Sequence, residues 1–192
     1  VVPSRGRRGL SGARNTGIAE AHGEIVAFLD DDAVADPRWA ENLLAGYRDP
    51  RVLGVGGLIR PRWDGERPAW FPAEFDWVVG CTYQGMPQGS APVRNLLGAN
   101  MSFRHDVLTE CGGFSTDLGR VGTRPLGCEE TELCIRAAQR HPDGVLLHDT
   151  AAAVRHHVPE RRATWSYFRA RCDAEALSQA AMTRRAPGPR AL

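Results

Sequence analysis

The sequence predicts an α/β domain, a sheet with helices on its faces, and two features carry that expectation. Short apolar runs over 24–29, 52–59, 96–103 and 144–147 alternate with segments whose apolar residues recur at helical spacing. The first run, Gly23-Glu24-Ile25-Val26-Ala27-Phe28-Leu29-Asp30-Asp31-Asp32, passes directly into three consecutive carboxylates. It fits a buried parallel strand, and in open α/β sheets ligands bind just beyond the carboxyl ends of strands. Adjacent carboxylates repel one another and need solvent, a proton or a cation. Mg²⁺ or Mn²⁺ carrying a phosphate-bearing ligand would answer that need, since hard oxygen donors suit those ions. A solvated acidic turn capping the next helix accounts for the triplet equally well.

Bulk properties narrow the classes. With 192 residues, 42% hydrophobic and 24% charged, the chain is long enough for one domain with its own core. The net charge of +1 gives no drive toward nucleic acid. All 24 basic residues are arginine, a side chain suited to phosphate and carboxylate recognition. The five cysteines contain no Cys-x-x-Cys pair, so neither a zinc site nor a disulfide framework is expected, and a reduced cytoplasmic setting is the default. No apolar run is long enough to span a bilayer and no signal peptide opens the sequence. A chain that starts at Val1 reads as processed or partial.

The elements follow in order. Residues 1–10 form an arginine- and glycine-rich loop. Ser11 is expected to cap a helix from Ala13 to His22 that stops at Gly23, with Arg14 and Asn15 in its first turn. An arginine there opposes the helix dipole, so it is either a solvated surface residue or held by something outside the helix. After the triplet, Asp36 and Pro37 open a helix bearing Trp39, Leu43, Leu44 and Tyr47. A strand over 52–59 follows. Residues 60–95 mix aromatic residues with prolines and predict a long excursion, serving either as a substrate wall or as a satellite cluster over the sheet. Asp106 caps a short helix that ends at Gly112-Gly113. Glu129, Glu130 and Glu132 crowd the first turn of the next helix, where the dipole alone can explain them; a general base facing a cleft is the other reading. A strand follows over 144–147, and another over 151–156 closes at His156 and His157, of which at most one can face a given site. Thr164 opens the last helix, through about Ala181. Domain boundaries are set at 1–183, with 184–192 a basic disordered tail.

Read together, these residues resemble family 2 glycosyltransferases of the GT-A fold. The resemblance rests on Leu10-Ser11-Gly12-Ala13-Arg14-Asn15-Thr16-Gly17-Ile18, the run through Asp30-Asp31-Asp32, Gly98-Ala99-Asn100-Met101-Ser102-Phe103-Arg104, Gly112-Gly113-Phe114 and Glu129-Glu130-Thr131-Glu132-Leu133, in that order. It covers most of residues 9–177. It implies a mixed, mostly parallel sheet flanked by helices, and inverting transfer of a sugar from a nucleotide-diphosphate donor to an acceptor hydroxyl. Asp30 and Asp32 match the family's metal-holding Asp-x-Asp residues, with Asp31 between them beside the donor. His156 resembles a late histidine that completes the metal shell, the ion being Mg²⁺ or Mn²⁺. Glu130 matches the catalytic base, in a Glu129-Glu130 pair where many members carry Glu-Asp. Gly98, Ala99 and Asn100 match a segment near the donor sugar and acceptor, Arg14 a position near the nucleotide, and Glu129 the residue beside the base.

The family begins with a strand-helix-strand unit of at least ~30 residues. Only a short loop precedes the first motif here, so a chain lacking its N-terminal part, with weak nucleotide binding, is expected. Two other classes remain as alternatives: a catalytically impaired binding module that keeps the fold, and a metal-dependent phosphohydrolase. A lipid-linked carrier, a polysaccharide or a small molecule could each supply the acceptor hydroxyl. The arginines of the last helix and tail fit a solvated face, or a peripheral contact at the inner face of a membrane.

Overall fold

The computed structural model describes residues 2–119 and 127–185. Helix α1 (Leu10–Glu20) leads through a short loop into β1 (Ile25–Leu29). The acidic triplet turns into β2 (Ala33–Ala35), followed by α2 (Trp39–Ala45) and the long β3 (Val52–Trp63). An irregular excursion holding a 3-10 helix (Ala73–Val79) leads to β4 (Ser90–Pro92) and β5 (Asn100–Arg104). The chain ends in α3 (His105–Glu110), α4 (Glu129–Arg140), β6 (Val145–Val158) and α5 (Trp165–Arg185).

The sheet order is β1-β5-β3-β6-β2, with β4 also on β6. Strands β3 and β6 pair in parallel, whereas β1–β5, β3–β5, β2–β6 and β4–β6 are antiparallel. The sheet is mixed as expected, but the expectation of mostly parallel pairing is corrected. Strands β1, β3 and β6 do run the same way; β5 enters antiparallel between β1 and β3 and removes a parallel contact. Strand β1 is also not buried on both sides. It ends the strand order, with Val26 buried while Ala27 and Leu29 are exposed.

Helix boundaries shift for local reasons. Helix α1 starts at Leu10, after Gly9 with φ 134°, a backbone region that favours glycine. Ser11 is therefore inside the helix, and its hydroxyl donates to Leu118 O at 2.9 Å instead of capping. Thr164 does cap α5, accepting from the Tyr167 N–H at 3.3 Å. Helix α5 continues to Arg185, two residues into the expected tail. Residues 186–192 lie outside the described residues.

Three apolar clusters fill the layers. Phe103, Met101, Leu108, Phe114 and Leu133 pack β5 against α3 and α4. Leu43, Val52, Val55 and Ala152 seat α2 on β3 and β6. The excursion over 60–95 supplies the third: Phe71, Val78, Val79 and Cys81 close over Ile59, Val154, Val158 and Phe168.

A single buried amide cross-links the middle of the sheet. Asn100, fully buried on β5, accepts from Trp39 Nε1 at 2.8 Å and donates to Ala152 O at 2.8 Å and Leu58 O at 3.3 Å. The backbones approach so closely there that a Cβ on Gly57 would lie 1.7 Å from Ala152 O. Replacing Asn100 by Ala removes the partner of the buried Ala152 carbonyl and of the half-buried Trp39 indole N–H and Leu58 carbonyl; a group left buried and unsatisfied costs about 1–3 kcal/mol. Asn100→Ala is expected to lower the urea midpoint by the equivalent of at least ~2 kcal/mol with the slope m unchanged.

Candidate active site

The triplet closes β1 and turns straight into β2, which pairs with the far end of β6. In that register Ala33 stands opposite His156, and the His157 N–H donates to Asp32 O at 2.9 Å. Backbone pairing thereby carries a histidine more than a hundred residues downstream to the carboxylates. His156 Nε2 lies 3.0 Å from Asp32 Oδ1. One ligand atom each from Asp30, Asp32 and His156 lie within 4.8 Å of one another.

Burial is the main influence on His156 and pushes its pKa below the ordinary value, against the pull of Asp32. The ring is therefore neutral near pH 7 and keeps a lone pair. Its Nδ1 faces Cys81 Sγ at 3.8 Å. Two carboxylates and a neutral imidazole form a donor set that fits a divalent ion such as Mn²⁺, which accepts nitrogen as well as oxygen. His157 points the other way and binds Asp64 at 2.6 Å.

Two arginines flank the carboxylates. Arg14 Nη2 is 3.7 Å from Asp30, and Arg162 Nη2 is 3.6 Å from Asp32. Arg14 sits in the second turn of α1 and is 8% exposed, so the reading as a solvated surface arginine does not hold. Its guanidinium donates to Glu129 Oε1 at 2.9 Å and Gly98 O at 3.2 Å, and lies 5.2 Å from the centre of the Phe114 ring. Asn15, the next residue, holds the Gly112-Gly113-Phe114 turn by a reciprocal pair with the Phe114 backbone at 2.8 and 2.9 Å. Gly113 has φ +70°, and a Cβ there would lie 2.5 Å from Asn15 Oδ1, so glycine is required on both counts.

Helix α4 begins after Cys128, whose φ of 65° is left-handed and uncommon outside glycine. Glu129 turns inward to Arg14 and is 4% exposed; its Oε2 has no partner among the described residues. Glu130 is half-buried and opens on the cleft. Burial is the first cause raising its pKa and the neighbouring Glu129 the second. From α5, Glu175 accepts from Cys128 Sγ at 3.2 Å, and Ser178 Oγ accepts from the Gly127 N–H at 3.0 Å. Together they brace the entry to α4.

One cleft of about 1470 Å³ gathers Asp30, Asp31, Asp32, His156, Glu129 and Glu130. Gly98 and Ala99 line it as well, and Ala99 O accepts from the Asp30 N–H at 3.5 Å. Asp31 is exposed in it. Asn100 corrects the expectation for its segment: it faces the core, not the cleft, with its amide committed to the sheet. The walls also contain Arg94, Arg162 and Glu175, which carry no local mark in the sequence, and Arg171, a last-helix arginine that lines the cleft instead of a solvated face. Arg162 follows the late histidine in a 3-10 turn after Pro159, and nothing in its local pattern marks it. Trp77, Val79 and Tyr83 bring the excursion into the wall, so it is both a satellite core and a side of the cleft.

The family model described as Glycosyl transferase family 2 matches residues 1–112. The chain belongs to this family. Among curated relatives, the glucosyl-dolichyl phosphate glucuronosyltransferase of Haloferax volcanii is 38% identical over 165 residues, covering 84% of this chain and 52% of that protein. The pre-mycofactocin glycosyltransferase of Mycobacterium tuberculosis is 41% identical over 161 residues, covering 80% and 33%. This family 2 glycosyltransferase chain thus spans about half the length of the first relative and a third of the second. A mannosyltransferase from Pyrobaculum calidifontis, solved with GDP-Man and Mn²⁺, superposes with a TM-score of 0.62 at 22% identity, covering 94% of this chain and 45% of that one. At that identity the likeness concerns the fold, which is GT-A. Among the described residues no helix is long and apolar enough to cross a membrane.

Removing Arg14 would leave Glu129 as a buried, unpaired charge, a change that costs about 3–5 kcal/mol where both partners are enclosed. Arg14→Met is expected to lose that much stability in urea, and Arg14→Met with Glu129→Leu to recover most of it. Equal losses in the single and double variants would show that the pair is not the tie it appears by geometry.

Proposed function

We propose that the cleft transfers a sugar from a nucleotide-diphosphate donor to an acceptor hydroxyl, with inversion at the anomeric carbon. The observation that carries this reading is the placing of Asp30, Asp32, His156 and Glu130 on one cleft beyond the end of β1. Asp30, Asp32 and His156 would hold the divalent ion. When bound, that ion supplies positive charge against the diphosphate as it leaves.

Glu130 takes the proton from the acceptor hydroxyl as its oxygen attacks the anomeric carbon. The bond from that carbon to the diphosphate oxygen breaks on the opposite face, which inverts the configuration. Its raised pKa makes Glu130 a stronger base than an ordinary carboxylate. Arg162 and Arg14 add fixed positive charge at the carboxylate end, where a diphosphate would bring further negative charge. Glu129 holds Arg14 in place, leaving Glu130 free to face the cleft. Asp31, Gly98 and Ala99 border the donor. The structural neighbour was solved with GDP-Man and the Haloferax relative is named for a dolichyl-phosphate-linked substrate. A nucleoside diphosphate donor and a lipid-linked acceptor are accordingly the first pair to test.

Calorimetry with Mn²⁺ present is expected to show binding of uridine or guanosine diphosphate that disappears with chelator and weakens at least ~10-fold in Asp32→Ala and His156→Ala. Binding that is indifferent to chelator and to both substitutions would remove the metal from the reading.

Glu130→Gln is expected to lower turnover by ~10²–10⁴ with little change in donor binding. A base works deprotonated, so its raised pKa shifts the acid limb of the kcat/KM profile to higher pH than an ordinary glutamate gives. Glu129→Gln removes the neighbouring negative charge and should move that limb back toward lower pH. An acid limb that stays put in Glu129→Gln, or full turnover in Glu130→Gln, excludes Glu130 as the base.

A further inference from the structure

We propose that the Cys81 thiol positions His156 by serving its Nδ1 as either hydrogen-bond donor or acceptor. Nε2 is then able to present an N–H to Asp32 or a lone pair to a cation. Both side chains are enclosed, His156 at 3% exposure and Cys81 at 0%. The two ring nitrogens face different groups: Nε2 lies 3.0 Å from Asp32 Oδ1, and Nδ1 lies 3.8 Å from Cys81 Sγ. The same sulfur is 3.8 Å from Val79 O. One thiol thus has a ring nitrogen and a backbone carbonyl within reach of its single proton.

The protonation pattern of the ring follows from what each neighbour can do. A neutral imidazole carries one N–H and one lone pair, and the bond made at one nitrogen decides the other. The Asp32 carboxylate only accepts, so its contact favours the proton on Nε2. Nδ1 then holds the lone pair, and the Cys81 S–H donates to it. A cation held by Asp30, Asp32 and His156 needs the lone pair on Nε2 instead. The Nε2 proton then passes to cleft water while Nδ1 takes one up, Sγ accepts from the Nδ1–H, and the S–H turns to Val79 O. Ring and thiol each carry one proton in both arrangements. A carboxylate or carbonyl in place of Cys81 could only accept, and would fix the proton on Nδ1. Burial away from solvent keeps the thiol in its protonated form.

The sulfur is placed by the backbone around it. The Cys81 N–H donates to Asp76 O at 3.0 Å, and Thr82 exchanges two bonds with Ile59 of β3, at 3.0 and 2.9 Å. Gly80 has φ +79°, and a Cβ there would lie 3.4 Å from His156 Cε1. The chain therefore passes close along the ring edge between the two nitrogens. By this route the excursion over 60–95 reaches the carboxylate end of the cleft. The inference rests on the reading of His156 as a cation ligand, but its test needs neither donor nor turnover.

Calorimetry of the full chain with Mn²⁺ alone should show binding ~10–100-fold weaker in Cys81→Ala, the usual loss for an outer partner of a ligating histidine. Cys81→Ser keeps a group that both donates and accepts, and should stay within several-fold of wild type. Long-range ¹H–¹⁵N correlation of the imidazoles, with His156 assigned by its loss in His156→Ala, should place the proton on Nε2 in the absence of metal. Added Zn²⁺, a diamagnetic probe, should move it to Nδ1. Cys81→Ala should shift the Nδ1 resonance even in the absence of metal, a change that a purely structural role would not produce. Should Cys81→Ala fail to fold, Cys81→Val fills the space with no polar atom and carries both measurements. Mn²⁺ binding that is lost in His156→Ala but unchanged in Cys81→Ala overturns the inference and leaves the cation reading standing; no binding by wild type overturns both. A proton on Nδ1 in both wild-type spectra also overturns it, since the thiol would then only accept.

Discussion

The Arg14 guanidinium joins three parts of the chain that the sequence keeps far apart. It reaches the end of β1 at Asp30, the loop before β5 at Gly98 and the first turn of α4 at Glu129. Both members of the Arg14–Glu129 pair are almost fully buried, so each depends on the other for charge balance. A lysine could not replace it, because only a planar fork presents donors in separate directions at fixed angles. Asn15 extends the same device by one residue, gripping the Phe114 turn that supports the guanidinium from its other face. Arg136 Nη2 in turn donates to Gly113 O at 2.7 Å and its guanidinium pairs with Glu132, so α4 is tied back to that turn.

The acidic end of the cleft is electrostatically divided. Asp30 leans toward Arg14 and Asp32 toward His156 and Arg162. Repulsion within the triplet is thereby reduced by fixed positive charge, and the carboxylates can stand ready without being neutralised outright. These contacts to Arg14 and Arg162, at 3.7 and 3.6 Å, are longer than a good charge-assisted hydrogen bond. Loose pairs of this kind keep oxygen lone pairs available, as a cation held at this site would require.

How much of this was legible follows from which residues act through local rules. The strand and triplet, the glycine turn and the glutamate-led helix were readable because periodicity, left-handed backbone and helix dipole each leave a local mark. What they form together is not locally marked: by sequence Arg14 is a first-turn cation opposing the helix dipole, and only the fold sets Glu129 beside it. Pairing direction carries no such mark, because an apolar run reports burial and says nothing of the neighbour inserted beside it; here β5 enters antiparallel next to β1. The family resemblance sets Asn100 with Gly98 and Ala99 near the donor, yet strand alternation and the tight β3–β6 approach at Gly57 turn its amide into the core. Arg162 and Glu175 left no mark, since each acquires its role only when β6 and α5 fold back over the cleft.

The two ends of the cleft are held by different kinds of force, and this bears on how it would work. The Asp32–His156 end is fixed by backbone pairing between β2 and β6, which side-chain changes perturb little. The Glu130 end depends on a left-handed Cys128, one hydrogen bond to Ser178 and the Glu175 contact. Arg14 contacts both ends, Asp30 at 3.7 Å on one side and Glu129 at 2.9 Å on the other. The Asp32–His156 end therefore rests on main-chain pairing and the Glu130 end on side-chain contacts, with the buried arginine touching both.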